Sequence, residues 1–194
     1  MIRCMEKLKD LHSRNLQVGH AFDLYGMIEF YEKLWDGLPS AYSDYKTVKS
    51  HVLELKHFTE KTRTRWCLTH IDAVADNFLF YRDESGQEKL QLTDWEYSGM
   101  QDPDVDLAMF AIYSNFDRTQ AEHLMDLYYG GACTDLIRCK IYCYMAACGL
   151  LWSNWEEFKA KQGVRFGEYG RRQYQYAGDF YQYAKELMRR HSYV

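Results

Sequence analysis

Three oxygen-bearing side chains stand at spacings that could build a magnesium–phosphate site. Asp72 is followed five positions later by Asn77, and Asp94 comes seventeen positions after Asn77. Mg2+ prefers hard oxygen ligands and is usually held by one or two carboxylates together with phosphate oxygens of a substrate. A carboxylate that stays off the metal can accept a proton from an attacking hydroxyl. The spacing therefore indicates chemistry at a phosphate group.

The segments between these residues predict a β-hairpin that brings them together. Asn77 opens the apolar run FLFY, Asp94 closes the alternating run LQLTD, and the charged stretch RDESGQEK lies between the two runs. This pattern is typical of two strands joined by a loop. We therefore expect Asn77 and Asp94 at one end of the hairpin, with Asp72 in the loop before it. The alternative is an acidic surface hairpin in which Asp72 is a turn or cap residue.

The order His70, Asp72, Asn77 and Asp94 resembles the catalytic loop and metal-binding aspartate of kinase-like phosphotransferases. The sequence DWEY stands where a protein kinase has DFG, which favours the small-molecule kinases of the choline kinase and aminoglycoside phosphotransferase group. The chain looks most like the bacterial LicA-type choline kinases. The sequence DLA at positions 106–108 is similar to the end of the acidic segment that follows the metal aspartate in that group.

The resemblance implies a role for each of these residues. Asp72 would be the catalytic base, Asn77 and Asp94 would hold Mg2+, and ATP would donate the phosphoryl group. His70 and Asp106 would support the loop structurally. The implied reaction is ATP-dependent phosphoryl transfer to the hydroxyl of choline, and the implied location is the cytoplasm.

An aromatic cluster near the C-terminus indicates how the acceptor would be recognised. Trp152 and Trp155 are three positions apart, so they are neighbours on a helix. The pair looks like the choline kinase segment with two tryptophans at this spacing, which Phe-Gly and tyrosines follow. Aromatic faces bind quaternary ammonium groups. Core packing is the alternative for the pair. The predicted choline cage consists of Glu96, Tyr97, Trp152, Trp155 and Tyr169.

Composition excludes several other classes of protein. The chain has 194 residues, 47% hydrophobic and 27% charged, which indicates a folded globular protein rather than a disordered one. The net charge of −4 and the scattered basic residues do not suggest a nucleic-acid surface, and no apolar run is long enough to span a membrane. The six cysteines show no zinc spacing and are expected to be buried free thiols in a reducing cytoplasm.

Hydrophobic periodicity predicts an α+β fold that is mostly α, with one small catalytic hairpin. We expect a single domain over residues 1–194. Four of the cysteines should lie in the helix that begins at residue 133. A short strand-like segment, TRWCLTH, leads into the site. The predicted helices span residues 2–13, 21–36, 44–63, 104–114, 118–128, 133–158 and 168–190.

This set of elements resembles the C-terminal helical lobe of a kinase-like fold. The chain shows no strand-rich segment before residue 66 and no glycine-rich phosphate loop, so we expect the N-terminal β-rich lobe to be absent. A fragment of a longer protein or a misassigned start is favoured over the alternative of a natural truncation. Three alternatives remain open. The acceptor could be another amino alcohol or an aminoglycoside, the chain could be a catalytically incompetent cation- or partner-binding module, and it could self-associate through the surface that the missing lobe leaves.

Overall fold

The computed structural model describes residues 1–193, which form seven α-helices, one short 3-10 helix and four short strands. The helices are amphipathic or buried, as their periodicity predicts. In chain order the elements are α1 (Ile2–Ser13), α2 (Leu24–Lys33), α3 (Tyr45–Thr62), β1 (Cys67–Thr69), the 3-10 helix (Ala75–Asn77), β2 (Phe78–Arg82), β3 (Glu88–Leu92), β4 (Gly99–Gln101), α4 (Asp104–Tyr113), α5 (Arg118–Tyr129), α6 (Asp135–Lys161) and α7 (Tyr169–His191).

The predicted hairpin is confirmed. Strands β2 and β3 pair antiparallel, with Phe78 opposite Leu92 at one end and Arg82 opposite Glu88 at the other. A second antiparallel pair, β1 with β4, was not predicted. Strand β4 has only three residues, and its partner lies about thirty positions earlier, so no local pattern marks it.

The chain divides into two compact units, each built from two segments. The first unit contains Met1–Phe22 and Thr64–Thr134, and the second contains Asp23–Arg63 and the residues from Asp135 onward. The first unit holds both strand pairs with α1, α4 and α5, and the second holds α2, α3, α6 and α7. The expectation of one domain over residues 1–194 stays a prediction.

Two predicted helix starts were too early. Helix α2 begins at Leu24 rather than residue 21, because the Asp23 carboxylate accepts a hydrogen bond from the Gly26 N–H and caps the helix. The same cap explains Gly26, since a Cβ there would lie 2.3 Å from Asp23 Oδ2. Helix α6 begins at Asp135, so Cys133 lies outside it and is half-buried, and the helix contains three cysteines rather than four.

Each unit has its own core. In the first unit, α4 is buried along nearly its whole length and packs against α5. In the second, α6 is the central helix and packs against α2, α3 and α7. Helices α6 and α7 approach closely at Gly149, where a Cβ would lie 2.6 Å from the Gln173 carbonyl oxygen. No helix within residues 1–193 is both long and apolar enough to cross a membrane.

Candidate active site

The base of the hairpin places the two predicted metal-binding residues at the same end. Asn77 ends the 3-10 helix directly before β2. Beyond β3, Thr93 donates hydrogen bonds from its backbone N–H and its hydroxyl to the Asn77 carbonyl oxygen, at 3.0 and 3.2 Å. The hydrogen-bond pairing of the hairpin therefore extends one residue beyond the two strands, to Asn77 and Thr93, and Asp94 follows directly. Asp94 is exposed and adopts the left-handed conformation, with φ of +61°.

Asp72 and Asn77 are joined directly. The Asn77 Nδ2 atom donates to the Asp72 carboxylate Oδ2 at 3.0 Å and to the Asp72 carbonyl oxygen at 2.9 Å. These bonds use the amide nitrogen, and they leave the Asn77 Oδ1 atom as the one that could bind a cation. Asp72 is half-buried, so its carboxylate is partly shielded from water.

The carboxylates of this end of the hairpin interact electrostatically. Burial raises the pKa of the Asp72 carboxyl above its ordinary range, and the charges of Asp94 and Glu96 raise this pKa further. The hydrogen bond from Asn77 and the nearby His70 ring act in the opposite direction. Asp72, Asp94 and Glu96 therefore belong to one acidic site in the first unit, where like charges oppose ionisation of the central carboxyl.

This pKa shift predicts how stability depends on pH. When the pKa of a carboxyl is higher in the folded state than in the unfolded state, folding is favoured most at pH values where the carboxyl is protonated, below about pH 4. This contribution to stability is lost as the pH rises through the raised pKa. At pH 7 the Asp72 charge therefore disfavours folding. Asp72→Asn should unfold at a higher urea concentration than the parent at pH 7, and this difference should shrink at pH 4. A variant destabilised equally at both pH values would contradict this electrostatic account.

Asp106 holds the backbone of the loop that carries Asp72. Its fully buried carboxylate accepts from the Ile71 N–H at 2.7 Å and from the His70 N–H at 2.9 Å. Ile71 has a φ of +68°, which is strained for a β-branched residue. Such strain costs of order 1–3 kcal/mol and persists only where surrounding contacts over-determine the conformation. The two bonds from Asp106 supply part of that constraint immediately before Asp72.

His70 links the same loop to the end of the hairpin. Its Nε2 atom donates to the Thr93 carbonyl oxygen at 2.8 Å, and its ring packs edge-on against Trp95, with centroids 4.6 Å apart. The His70 side chain thus contacts the residues on both sides of Asp94. These contacts are those expected of a structural support.

His12 belongs to this support as well. The ring is fully buried, with Nε2 at 2.9 Å from Asp106 Oδ2 and Nδ1 at 2.8 Å from the Tyr128 hydroxyl. One signal was available, because His12 shares the apolar face of α1 with Met5 and Leu8, and a polar ring on such a face needs partners when buried.

The donor set at the hairpin base fits Mg2+. Among residues 1–193 no group of three or more His, Cys, Asp and Glu side chains could hold a metal ion. Asn77 Oδ1 and the Asp94 carboxylate instead offer two hard oxygen ligands. Mg2+ commonly keeps several waters and substrate phosphate oxygens, and needs only one or two carboxylates from the protein.

Three members of the predicted cage lie together in the second unit. The Trp152 and Trp155 rings meet edge-on at 5.9 Å between centroids, and Tyr169 lies 6.4 Å from Trp155. Phe166, outside the predicted cage, lies 4.9 Å from Trp155 and is exposed. The Lys159 ammonium lies 5.7 Å from the Trp155 ring centroid. This aromatic cluster therefore already contacts a cation from its own helix.

The two remaining members of the predicted cage, Glu96 and Tyr97, follow Asp94 in the first unit. Their participation in the cage stays a prediction. A cavity of about 990 Å³ in the second unit lies between α2 and α3, and none of the predicted site residues lines it. The hairpin site of the first unit and the aromatic cluster of the second are thus each distinct from that cavity.

Comparisons with known proteins agree with this geometry. The crystal structure of choline kinase LicA from Streptococcus pneumoniae matches 94% of this chain with a TM-score of 0.77 and 29% identity, and the match covers 63% of that chain. A choline/ethanolamine kinase family protein from Mesorhizobium loti matches 96% of this chain and 61% of its own, with a TM-score of 0.67 and 26% identity. These matches confirm the predicted mostly helical kinase-like lobe.

Sequence comparison points to the same group. Protein LicA from Haemophilus influenzae is 23% identical over 174 residues, which cover 85% of this chain and 62% of that protein. The chain therefore spans less than two thirds of the length of each of these relatives. A family model described as choline/ethanolamine kinase matches residues 5–127. Since this match covers more than half of the sequence and includes the whole hairpin site, the chain belongs to the choline/ethanolamine kinase family.

Proposed function

We propose that the protein transfers the terminal phosphoryl group of ATP to the hydroxyl of choline. The observation that carries the proposal is the Asn77 amide bonded to Asp72 at the end of the hairpin that also bears Asp94. This arrangement separates a proton acceptor from a pair of oxygen ligands. The family membership and the match to a choline kinase support the same reaction.

Each residue of the hairpin site has a distinct task in this reaction. Asp72 orients the acceptor hydroxyl and takes its proton, and its raised pKa brings the carboxyl nearer to the pH at which a base works best. Asn77 holds Asp72 through its nitrogen and offers its oxygen to a metal, together with Asp94. Mg2+ bound there would neutralise charge on the phosphate oxygens. Asp106 and His70 keep the loop in place.

The aromatic cluster favours choline over ethanolamine as the acceptor. A quaternary ammonium group cannot donate hydrogen bonds, so aromatic faces recognise it, whereas a primary ammonium group needs hydrogen-bond acceptors. Calorimetric titration with choline and with ethanolamine, without nucleotide, tests this choice. We expect tighter binding of choline. Equal affinities, or tighter binding of ethanolamine, would exclude a quaternary ammonium as the preferred substrate.

Removal of the central cage ring should weaken choline binding. Trp155 contacts three other aromatic rings and therefore lies at the centre of the cluster. We expect Trp155→Ala to remove one cation–π contact with choline, worth about 0.5–2 kcal/mol, which corresponds to a roughly 2- to 30-fold rise in Kd. The measurement is calorimetry with choline. Trp66→Ala removes an exposed tryptophan of the first unit and should leave Kd unchanged. Unchanged affinity in a folded Trp155→Ala variant would remove Trp155 from the cage.

Removal of the predicted metal carboxylate should weaken nucleotide binding only when magnesium is present. We expect Asp94→Ala to raise the Kd of Mg-ATP by about 10–100-fold or more. Loss of a residue that only hydrogen-bonds to a metal ligand already weakens metal binding by about this factor. Titration of ATP with Mg2+ and with EDTA measures the difference. Glu84→Ala, at the exposed hairpin turn, removes the same charge and serves as control. A folded Asp94→Ala variant with parental Mg-ATP affinity would exclude Asp94 as a ligand.

A further inference from the structure

Tyr128 lies at the outer end of a hydrogen-bonded chain that leads to the catalytic loop. Its side chain is 4% exposed and belongs to α5, whereas its partner His12 belongs to α1. The Tyr128 hydroxyl lies 2.8 Å from His12 Nδ1, and the two rings meet edge-on at 5.8 Å between centroids. The role described above for the hairpin site does not use this tyrosine.

The chemistry of the groups assigns a direction to the chain. Asp106 Oδ2 also accepts the His70 N–H, and a carboxylate can only accept, so the His12 Nε2 atom at 2.9 Å must carry the proton. In the neutral ring His12 Nδ1 is then the acceptor, and the Tyr128 hydroxyl donates to it. Burial, followed by the nearby charge of Asp104, raises the pKa of the Tyr128 hydroxyl, which therefore keeps its proton.

The bonds at the two ring nitrogens fix the plane of the His12 ring. If the donor at Nδ1 is lost, a buried acceptor is left without a partner, and the ring gains freedom to turn about its axis. A turned ring no longer donates to Asp106 Oδ2. The Asp106 carboxylate then loses the contact that holds it against the N–H groups of His70 and Ile71. Ile71 keeps its left-handed conformation only while such contacts hold it.

We propose that Tyr128 is a positioning residue, which orients His12 and, through Asp106, holds the strained Ile71 backbone that places Asp72. The effect of Tyr128 on catalysis rests on the proposed function, whereas its effect on the Ile71 backbone does not. The two effects can therefore be measured separately.

Hydrogen exchange of the Ile71 amide tests the proposal without any assay of activity. Tyr128→Phe should speed exchange at Ile71 by about tenfold or more, while the amides of the α6 core exchange as in the parent. Tyr25→Phe is the matched control, because its buried hydroxyl bonds Thr59 in the other unit at 3.1 Å. That variant should leave Ile71 exchange unchanged. Parental exchange at Ile71 in a folded Tyr128→Phe variant, or equally faster exchange throughout the chain, would overturn the proposal.

A second measurement applies even if Tyr128→Phe fails to fold. Nitrogen NMR of the His12 ring in the parent should show a protonated Nε2 and an Nδ1 that accepts a hydrogen bond. A ring protonated at Nδ1, either alone or together with Nε2, would overturn the proposal. In the folded variant kcat should fall about tenfold with KM for choline unchanged, since small displacements of a catalytic group are costly. Faster Ile71 exchange in Tyr128→Phe than in the parent, in a protein that shows no turnover, would count against the proposed function and support the Tyr128 role.

Discussion

Asp72→Asn is expected to lower kcat by about 10²–10⁴-fold, the range that general base catalysis contributes. The asparagine keeps the shape of the side chain and can still accept the hydrogen bond that Asn77 donates to Asp72. It cannot take a proton from the acceptor hydroxyl. KM for choline should change little, because the aromatic cluster of the second unit is untouched. Steady-state release of ADP in the presence of choline and Mg-ATP measures both constants.

The urea midpoint of the variant provides the control for this prediction. Since the Asp72 charge disfavours folding at neutral pH, Asp72→Asn should be at least as stable as the parent at pH 7. Any loss of turnover then reflects chemistry rather than unfolding. A folded variant with the full kcat of the parent would exclude Asp72 as the base.

Asp106→Ala should lower the free energy of unfolding by about 3–5 kcal/mol, as expected when one partner of a buried charged network is removed. The carboxylate is fully buried and accepts from His12, His70 and Ile71. The alanine leaves these three donors without their acceptor and releases the strained Ile71 backbone. Urea denaturation followed by circular dichroism measures the loss.

Asp10→Ala is the matched control for this effect. Asp10 forms an exposed ion pair with Arg14 at 3.0 Å, and such surface pairs contribute about 0–1 kcal/mol. Both variants remove a carboxylate, Asp106→Ala from the buried core and Asp10→Ala from the exposed surface. If Asp106→Ala lost no more stability than Asp10→Ala, the carboxylate would not be holding the loop that carries Asp72.

The parts of the fold that local pattern encodes were predicted correctly. The hairpin was predicted because two short runs of strand-forming residues flank a charged turn with one glycine, which is a signal within fifteen residues. The helices were predicted with errors of a few residues at both ends. The cap at Asp23 rather than periodicity decides the start of α2, and α2 and α6 end at Lys33 and Lys161 rather than at residues 36 and 158. In the site, the order of Asp72, Asn77 and Asp94 was sufficient to place them near each other.

Contacts between distant segments could not be predicted in the same way. His12 bonds residues 94 and 116 positions away, so nothing in α1 reveals its partners. Asp106 was predicted as a support by resemblance, but its bonds to the backbone of residues 70 and 71 required the structure. The inclusion of Phe166 in the aromatic cluster depends on the bend between α6 and α7, which periodicity does not describe.

The most direct test of the proposed reaction is phosphorus NMR of the protein incubated with choline, ATP and Mg2+. We expect the signal of the terminal phosphate of ATP to be replaced by that of phosphocholine, and we expect Asp72→Asn to form almost no phosphocholine under the same conditions. If the protein converted ATP only to ADP and inorganic phosphate, or phosphorylated another acceptor while choline stayed unmodified, choline phosphorylation would be contradicted.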